Sequence, residues 1–410
     1  MTSFLFLVIF VIAACASVAS ADNSKVLPFL GDDVLDNDLF GYATSVFGNV
    51  AAVSSFNADS GVGSVYMFEF SPADGTWAQS AKLVPFDPNL YANFGNSLSL
   101  YENRLAIGAW GDDRDGQTNI GAVYIYDYVV DSATNSSAWT FTQKLDGSGL
   151  AQSEFGTDVS LFQDRLLVGS VSYKNWMGCA YIYTLKDNSW VVDKQLIASD
   201  AYTGGITGDA QMYGSKVSLY GDIAIVAAPQ DKKMGSVYVY EYNSGAWTET
   251  KIVASGLAET DLFGHGVALY EKTLVIGANG DDTPAGVNAG SVYVYQKGDN
   301  GWAQITQILA DDAAVSDTFG TVVAISEKFI VATAPYKTNT ENNVAHQGAT
   351  YVYTIDYTSN VVTPLKKLIS DDPLTMMNGF SVSVFDEVIL VGVECYHTTP
   401  IPLYYNLLEE

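Results

Sequence analysis

Basic residues are few. Nineteen Lys and Arg stand against 46 Asp and Glu, a formal charge of −27. Such a chain repels phosphate backbones and anionic lipid, so nucleic acid is a poor partner for it. Cysteine is nearly absent, with Cys15, Cys179 and Cys395 the whole complement. A disulfide framework is therefore excluded, and the chain must hold itself by packing. Histidine is equally sparse, at His265, His346 and His397. No G-x-S-x-G, H-E-x-x-H or paired-Cys metal spacing occurs, which leaves little for an enzyme of those classes. No apolar run reaches the ~18 residues of a membrane span. What the chain has in quantity is apolar and aromatic mass, 48% and 13%. That excludes disorder and fits a large, filled core.

The N-terminus reads as a leader. Phe4 to Ala14 form an apolar run too short for a bilayer, and small residues follow, ending Ala19-Ser20-Ala21. This pattern predicts signal-peptide cleavage after Ala21, a mature chain of residues 22–410, and secretion. Ile12-Ala13-Ala14-Cys15 also resembles a lipobox, which would anchor the chain through a lipid on Cys15, although no basic residue precedes the run. Asn135-Ser136-Ser137 is an N-glycosylation sequon in a polar loop.

Self-comparison is more informative. An aromatic-glycine pair recurs at Phe40-Gly41, Phe94-Gly95, Phe155-Gly156, Tyr213-Gly214, Phe263-Gly264 and Phe319-Gly320, with a reversed copy at Gly379-Phe380. Each pair opens a phrase of four strands. The third strands, such as Val65-Tyr66-Met67-Phe68 and Val237-Tyr238-Val239-Tyr240, are apolar at odd and even positions alike, so both faces are covered. The fourth usually starts with Trp: Trp77, Trp139, Trp190, Trp247 and Trp302. Four-stranded antiparallel sheets repeating every 50 to 61 residues, with hairpin turns and no helical period, predict an all-β, seven-bladed β-propeller in one domain. The last copy lacks a fourth strand, and Lys25-Val26-Leu27 reads as the end of one, so the N-terminal segment is expected to close the ring.

The phrase from Phe94-Gly95 through Gly108-Ala109 to Gly111-Asp112-Asp113 resembles the FG-GAP repeat of integrin α-subunit propellers, in the short secreted variety of bacteria and protists. The resemblance covers residues 25 to 405 and implies the propeller fold. It leaves function open, because such propellers serve adhesion proteins, lectins and accessory domains of enzymes. The calcium-binding turn of integrin repeats is not carried over: the corresponding turns, such as Tyr101-Glu102-Asn103-Arg104, offer one or two carboxylates where Ca²⁺ takes six to eight oxygens.

Chemistry is expected on the face with the long loops between second and third strands. Asp112, Asp113 and Asp115 offer clustered carboxylates for a Ca²⁺ ion, or are ordinary turn formers in an acidic protein; no other cofactor is expected. Trp110 and Trp176 break the register of the five structural tryptophans. Together with Tyr173, Tyr336, Lys337 and Tyr396 they form the candidate ligand-binding set, suited to stacking on sugar rings or anchoring a peptide, or else they pack beneath their own loops. Cys179 falls inside a third strand, as a packed thiol, and both it and Cys395 are expected to be unpaired. The expected function is non-catalytic recognition of an extracellular glycan or protein. A polysaccharide-degrading enzyme using loop carboxylates and a structural subunit of a wall or surface assembly are the alternatives.

Overall fold

The computed structural model describes residues 8–11, 31–35, 37–73, 75–132, 134, 136–147, 150–201, 210–340, 344–369, 376–394 and 404–406. Six blades are built alike, each from four consecutive strands in an antiparallel meander. They run from Phe40 to Leu83 (blade 1), Ser97 to Leu145 (blade 2), Phe155 to Leu196 (blade 3), Val217 to Ile252 (blade 4), Phe263 to Ile308 (blade 5) and Val323 to Leu368 (blade 6).

The seventh copy departs from the expected blade of three strands closed by Lys25-Val26-Leu27. It contributes a hairpin of Met376–Phe385 and Val388–Glu394. Val8–Val11 then pairs with Val388–Glu394 in parallel, and Tyr404–Asn406 pairs antiparallel to Val8–Val11. An N-terminal segment does join the last sheet, but it is Val8–Val11 in third place. Lys25-Val26-Leu27 lies outside the described residues, as do Cys15 and the Ala21 cleavage point. A short run of β-branched and aromatic residues suits the open edge of that hairpin. A chain cut after Ala21 would lose this strand.

Packing between blades follows from the two-faced third strands. Val65 and Met67 of blade 1 meet Leu105, Ile107, Tyr124 and Tyr126 of blade 2 in one buried cluster: the β-branched side of each sheet lies on the ringed side of the next. The repeated aromatic is fully buried at Phe94, Phe155, Tyr213, Phe263 and Phe319. It meets the third-strand tyrosine edge to face, as in Phe94–Tyr124 at 5.2 Å and 78°. The glycine beside it has a steric reason. Gly320 sits at φ +90, where side chains are strained, and a Cβ there would lie 2.5 Å from the Ser291 carbonyl oxygen of the preceding blade. A second-strand glycine makes the complementary contact, a Cβ on Gly277 falling 1.9 Å from the Gly320 carbonyl oxygen, and the ring closes in that way, with a Cβ on Gly392 2.0 Å from the Gly41 carbonyl oxygen.

Candidate functional site on the loop-bearing face

The residues that follow each aromatic-glycine pair begin the first strands, which run nearest the axis. All seven copies therefore contribute to one axial hollow of ≈ 600 Å³. Tyr42, Phe380, Trp110 and Tyr336 give it an aromatic arc, and Asn96, Thr157, Ser215, His265, Asn279 and Thr321 a polar one. The reversed seventh pair explains Phe380. Gly379 keeps the positive φ of its counterparts, at +94, so the ring comes after it and lines the hollow, 5.2 Å from Tyr42.

Asp158, Lys216 and His265 bring charge chemistry to this hollow. The Asp158 carboxylate accepts the Val217 amide at 2.7 Å, and Lys216 stands 3.7 Å away. Burial raises the Asp158 pKa, with Lys216 and the amide opposing. His265 is pushed below the ordinary imidazole value, first by burial and further by Lys216, against the Thr321 carbonyl. Its Nδ1 lies 3.0 Å from that carbonyl oxygen. A carbonyl only accepts, so in the neutral ring Nδ1 carries the proton and Nε2 is the acceptor.

Of the expected ligand-binding residues, Trp110 and Tyr336 reach the axial hollow. Tyr336 is exposed and meets His346 edge to face at 5.7 Å. Trp176 borders a second hollow of ≈ 490 Å³, with Asn119, Gln152, Glu154, Ser172 and Asn175. Its indole is 44% exposed, at the end of a tight turn with positive φ at Lys174, Asn175 and Trp176. Burial raises the Glu154 carboxyl, partly offset by a 2.5 Å hydrogen bond from Ser172.

Tyr173, Lys337 and Asp112 occupy one place in the repeat. Each stands three residues past the end of a second strand, at the same place as Asp231 and Asp281, and that position is turned inward: all five are buried. Tyr173 packs with the blade 2 and 3 core. Lys337 pairs with Asp317 at 2.8 Å and donates to the Asp312 carbonyl. Asp112 lies 2.7 Å from the Tyr124 hydroxyl, which it shares with Asp87, and accepts Lys144 at 3.0 Å. Asp113 caps the Asn119 amide at 2.8 Å, and Asp115 is exposed. Among the described residues no group of three or more His, Cys, Asp or Glu is placed to hold a metal. Tyr396, His397, Cys395 and Asn135 lie outside the described residues. Cys179 is buried and free, its thiol pushed up to about 11 by burial. No helix among the described residues is long and apolar enough to cross a membrane.

The FG-GAP repeat family matches this sequence three times, at residues 77–126, 247–295 and 302–353, each running from a fourth-strand Trp to a third-strand Tyr of the next blade. The chain carries three FG-GAP repeats. Among solved structures it is similar to a Bacteroides uniformis protein described as a candidate 6-phosphogluconolactonase, with TM-score 0.52 and 10% identity over 81% of this chain and 86% of that one. A Bacteroides fragilis protein described likewise gives TM-score 0.49 and 10% identity, over 81% and 85%. The first likeness shows the fold alone. A comparison with curated proteins gave no match.

The FG-GAP repeats also carry an internal network that sequence reading missed. The third-strand tyrosine donates to an aspartate entering its blade, and a fourth-strand lysine joins them. Tyr66–Asp33–Lys82, Tyr124–Asp87–Lys144 and Tyr238–Asp200–Lys251 close at 2.6–2.7 Å. Tyr351, Asp312 and Lys367 repeat the set. Where glycine takes the aspartate's place in the sequence, at Gly149 and Gly256, the fourth strand of the blade that follows carries glutamine instead of lysine, Gln195 and Gln307. In blade 5, Gln307 then reaches Asp281 and Tyr293 at 3.2 and 3.0 Å. Aligning the copies position by position reveals both this exchange and the residues of the axial hollow.

Proposed function

We propose that this FG-GAP propeller is a secreted, non-catalytic recognition protein that binds a glycan on its loop-bearing face, with Trp176 as the stacking platform. The observation that carries the reading is the exposed indole beside a hollow bordered by amide, hydroxyl and carboxylate side chains. A saccharide ring offers an apolar C–H face to the indole and hydroxyl groups to Asn119, Gln152, Asn175 and Glu154. Tyr173 and Lys337 drop out of the ligand set because both are buried.

The test is a glycan array with the purified protein, run in calcium and again in chelator. Saturable binding to one sugar class, lost in Trp176→Ala at unchanged Tm, is the expected result. A blank array overturns the glycan reading in favour of a protein partner or self-assembly. Release of reducing ends from a bound polysaccharide overturns the non-catalytic reading, and binding lost on chelation restores a metal to the site.

A further inference from the structure

We infer that the axial hollow is a second binding site, separate from the one at Trp176, which takes a small neutral polyhydroxylated ligand of one or two sugar-sized rings. Its volume, ≈ 600 Å³, lies within the ordinary range of small-molecule sites, about 300–1,000 Å³.

The division of its wall suggests the ligand class. Trp110 and Tyr336 rise from second-to-third-strand loops of blades 2 and 6, while Tyr42 and Phe380 lie between them across the seam of the ring. Aromatic faces of this kind suit the C–H face of a saccharide ring. Blades 3 to 5 offer hydroxyl, amide and imidazole groups, which suit its hydroxyl edge.

Two of those polar groups lack a partner among the described residues. The Asn279 Oδ1 and Ser215 Oγ atoms are both shut off from solvent with no hydrogen bond, and Asn279 as a whole is 9% exposed. Both residues line the hollow, in the blades on and beside His265. A buried polar atom without a partner is unfavourable by about 1–3 kcal/mol. A side-chain rotation that presents these atoms to ligand hydroxyls removes that penalty, so bound ligand and relaxed side chains favour one another.

Charge argues for neutrality. Asp158 and Lys216 stand 3.7 Å apart and offset each other, and His265 is held toward its uncharged form. A charged ligand would find no unmatched counter-charge on the described wall, and the overall charge of −27 opposes anions further.

The experiment is saturation-transfer NMR and titration calorimetry on the full chain, residues 1–410. The probes are neutral aldohexoses and their disaccharides, beside hexuronic acids and hexosamines of the same stereochemistry. Saturable binding of a neutral sugar is expected, weakened at least tenfold by Asn279→Leu and by Tyr336→Ala. Tyr336 is exposed, so that second variant folds even if the first does not. No binding by any neutral sugar overturns the site. Binding that survives both variants but is lost in Trp176→Ala assigns the sugar to the Trp176 hollow and overturns the axial one. Equal or tighter binding of the charged analogues overturns the argument from charge.

Discussion

Replacing Lys251 by glutamine should destabilise blade 4, and replacing Asp200 by glycine in the same chain should restore most of the loss. Lys251 reaches both Asp200 and Asp231 at 2.6 Å. Asp231 is 2% exposed, and removing its cation leaves a buried carboxylate held only by Ser236 and Gln211. Breaking a buried pair from one side costs roughly 3–5 kcal/mol. Asp200 is half-exposed and screened, and a glutamine in place of Lys251 can donate one hydrogen bond as Gln307 does in blade 5, so about 3 kcal/mol is the expected loss. With about 2.1 cal/mol/K of unfolding entropy per residue over 410 residues, that lowers Tm by about 3.5 °C, well resolved by calorimetry. The double variant copies blade 5, where glycine and glutamine occur together, and should fall within about 1 kcal/mol of the parent, the remainder being glycine's chain entropy. The pH dependence has a definite sign. Burial raises the pKa of Asp200 and of Asp231, but Lys251 and the neutral donors outweigh it and hold both below 3.8. Their contribution is present above that value and lost as pH falls through the lowered folded values, so the gap between the Lys251→Gln single variant and the parent should close in acid. A single variant within about 0.5 °C of the parent, or a double variant no better than the single, would refute the reasoning.

Gly392→Ala, at the seam with blade 1, should cost about 3 kcal/mol through overpacking against the Gly41 carbonyl, read as a lower urea midpoint. Gly298→Ala has no atom within 4 Å of its Cβ, so an equal loss there would show that the seam is not the cause. For His265, the folded value lies below 6.5, so its contribution is complete above pH 6.5 and stability is lost as pH falls from there toward the folded value. His265→Gln should flatten the stability profile on that acid side, and identical urea midpoints for parent and variant from about pH 7.5 to about pH 5 would count against the assignment.

The blades were legible in the sequence because each is a local phrase: an aromatic-glycine pair, a doubly apolar strand, then a strand opening on Trp. Trp247 and Trp302 behave as that register implies, donating to Asp193 and Glu241 of the preceding blade. The site was less legible. Asn96, Ser215, His265 and Thr321 all stand directly after their aromatic-glycine pair and line the axis, but they share a place and not a residue type, so no motif within one copy marks them. Tyr173 and Lys337 misled for a related reason. An aromatic or a lysine in a long loop reads as exposed, but their position past the second strand points into the blade, where Asp112 and Asp231 also sit. The closing sheet was hardest, since pairing between the two chain ends leaves no trace in any single copy.

The out-of-phase boundary of the repeat has a consequence for how such a ring can grow. Each unit runs from a fourth-strand Trp to the next blade's Tyr, so its entering aspartate and its tyrosine find their lysine in the following unit. Asp87 depends on Lys144 in this way, and Asp200 on Lys251. Units that open on glutamine and carry aspartate alternate along blades 3 to 6 with units that open on lysine and carry glycine. Duplicating one of these alternating units beside itself would therefore set a lysine against a glycine, or a glutamine against an aspartate. The chain behaves less like beads on a string than like dominoes, whose ends must match, and insertions of two units at a time disturb the ring least.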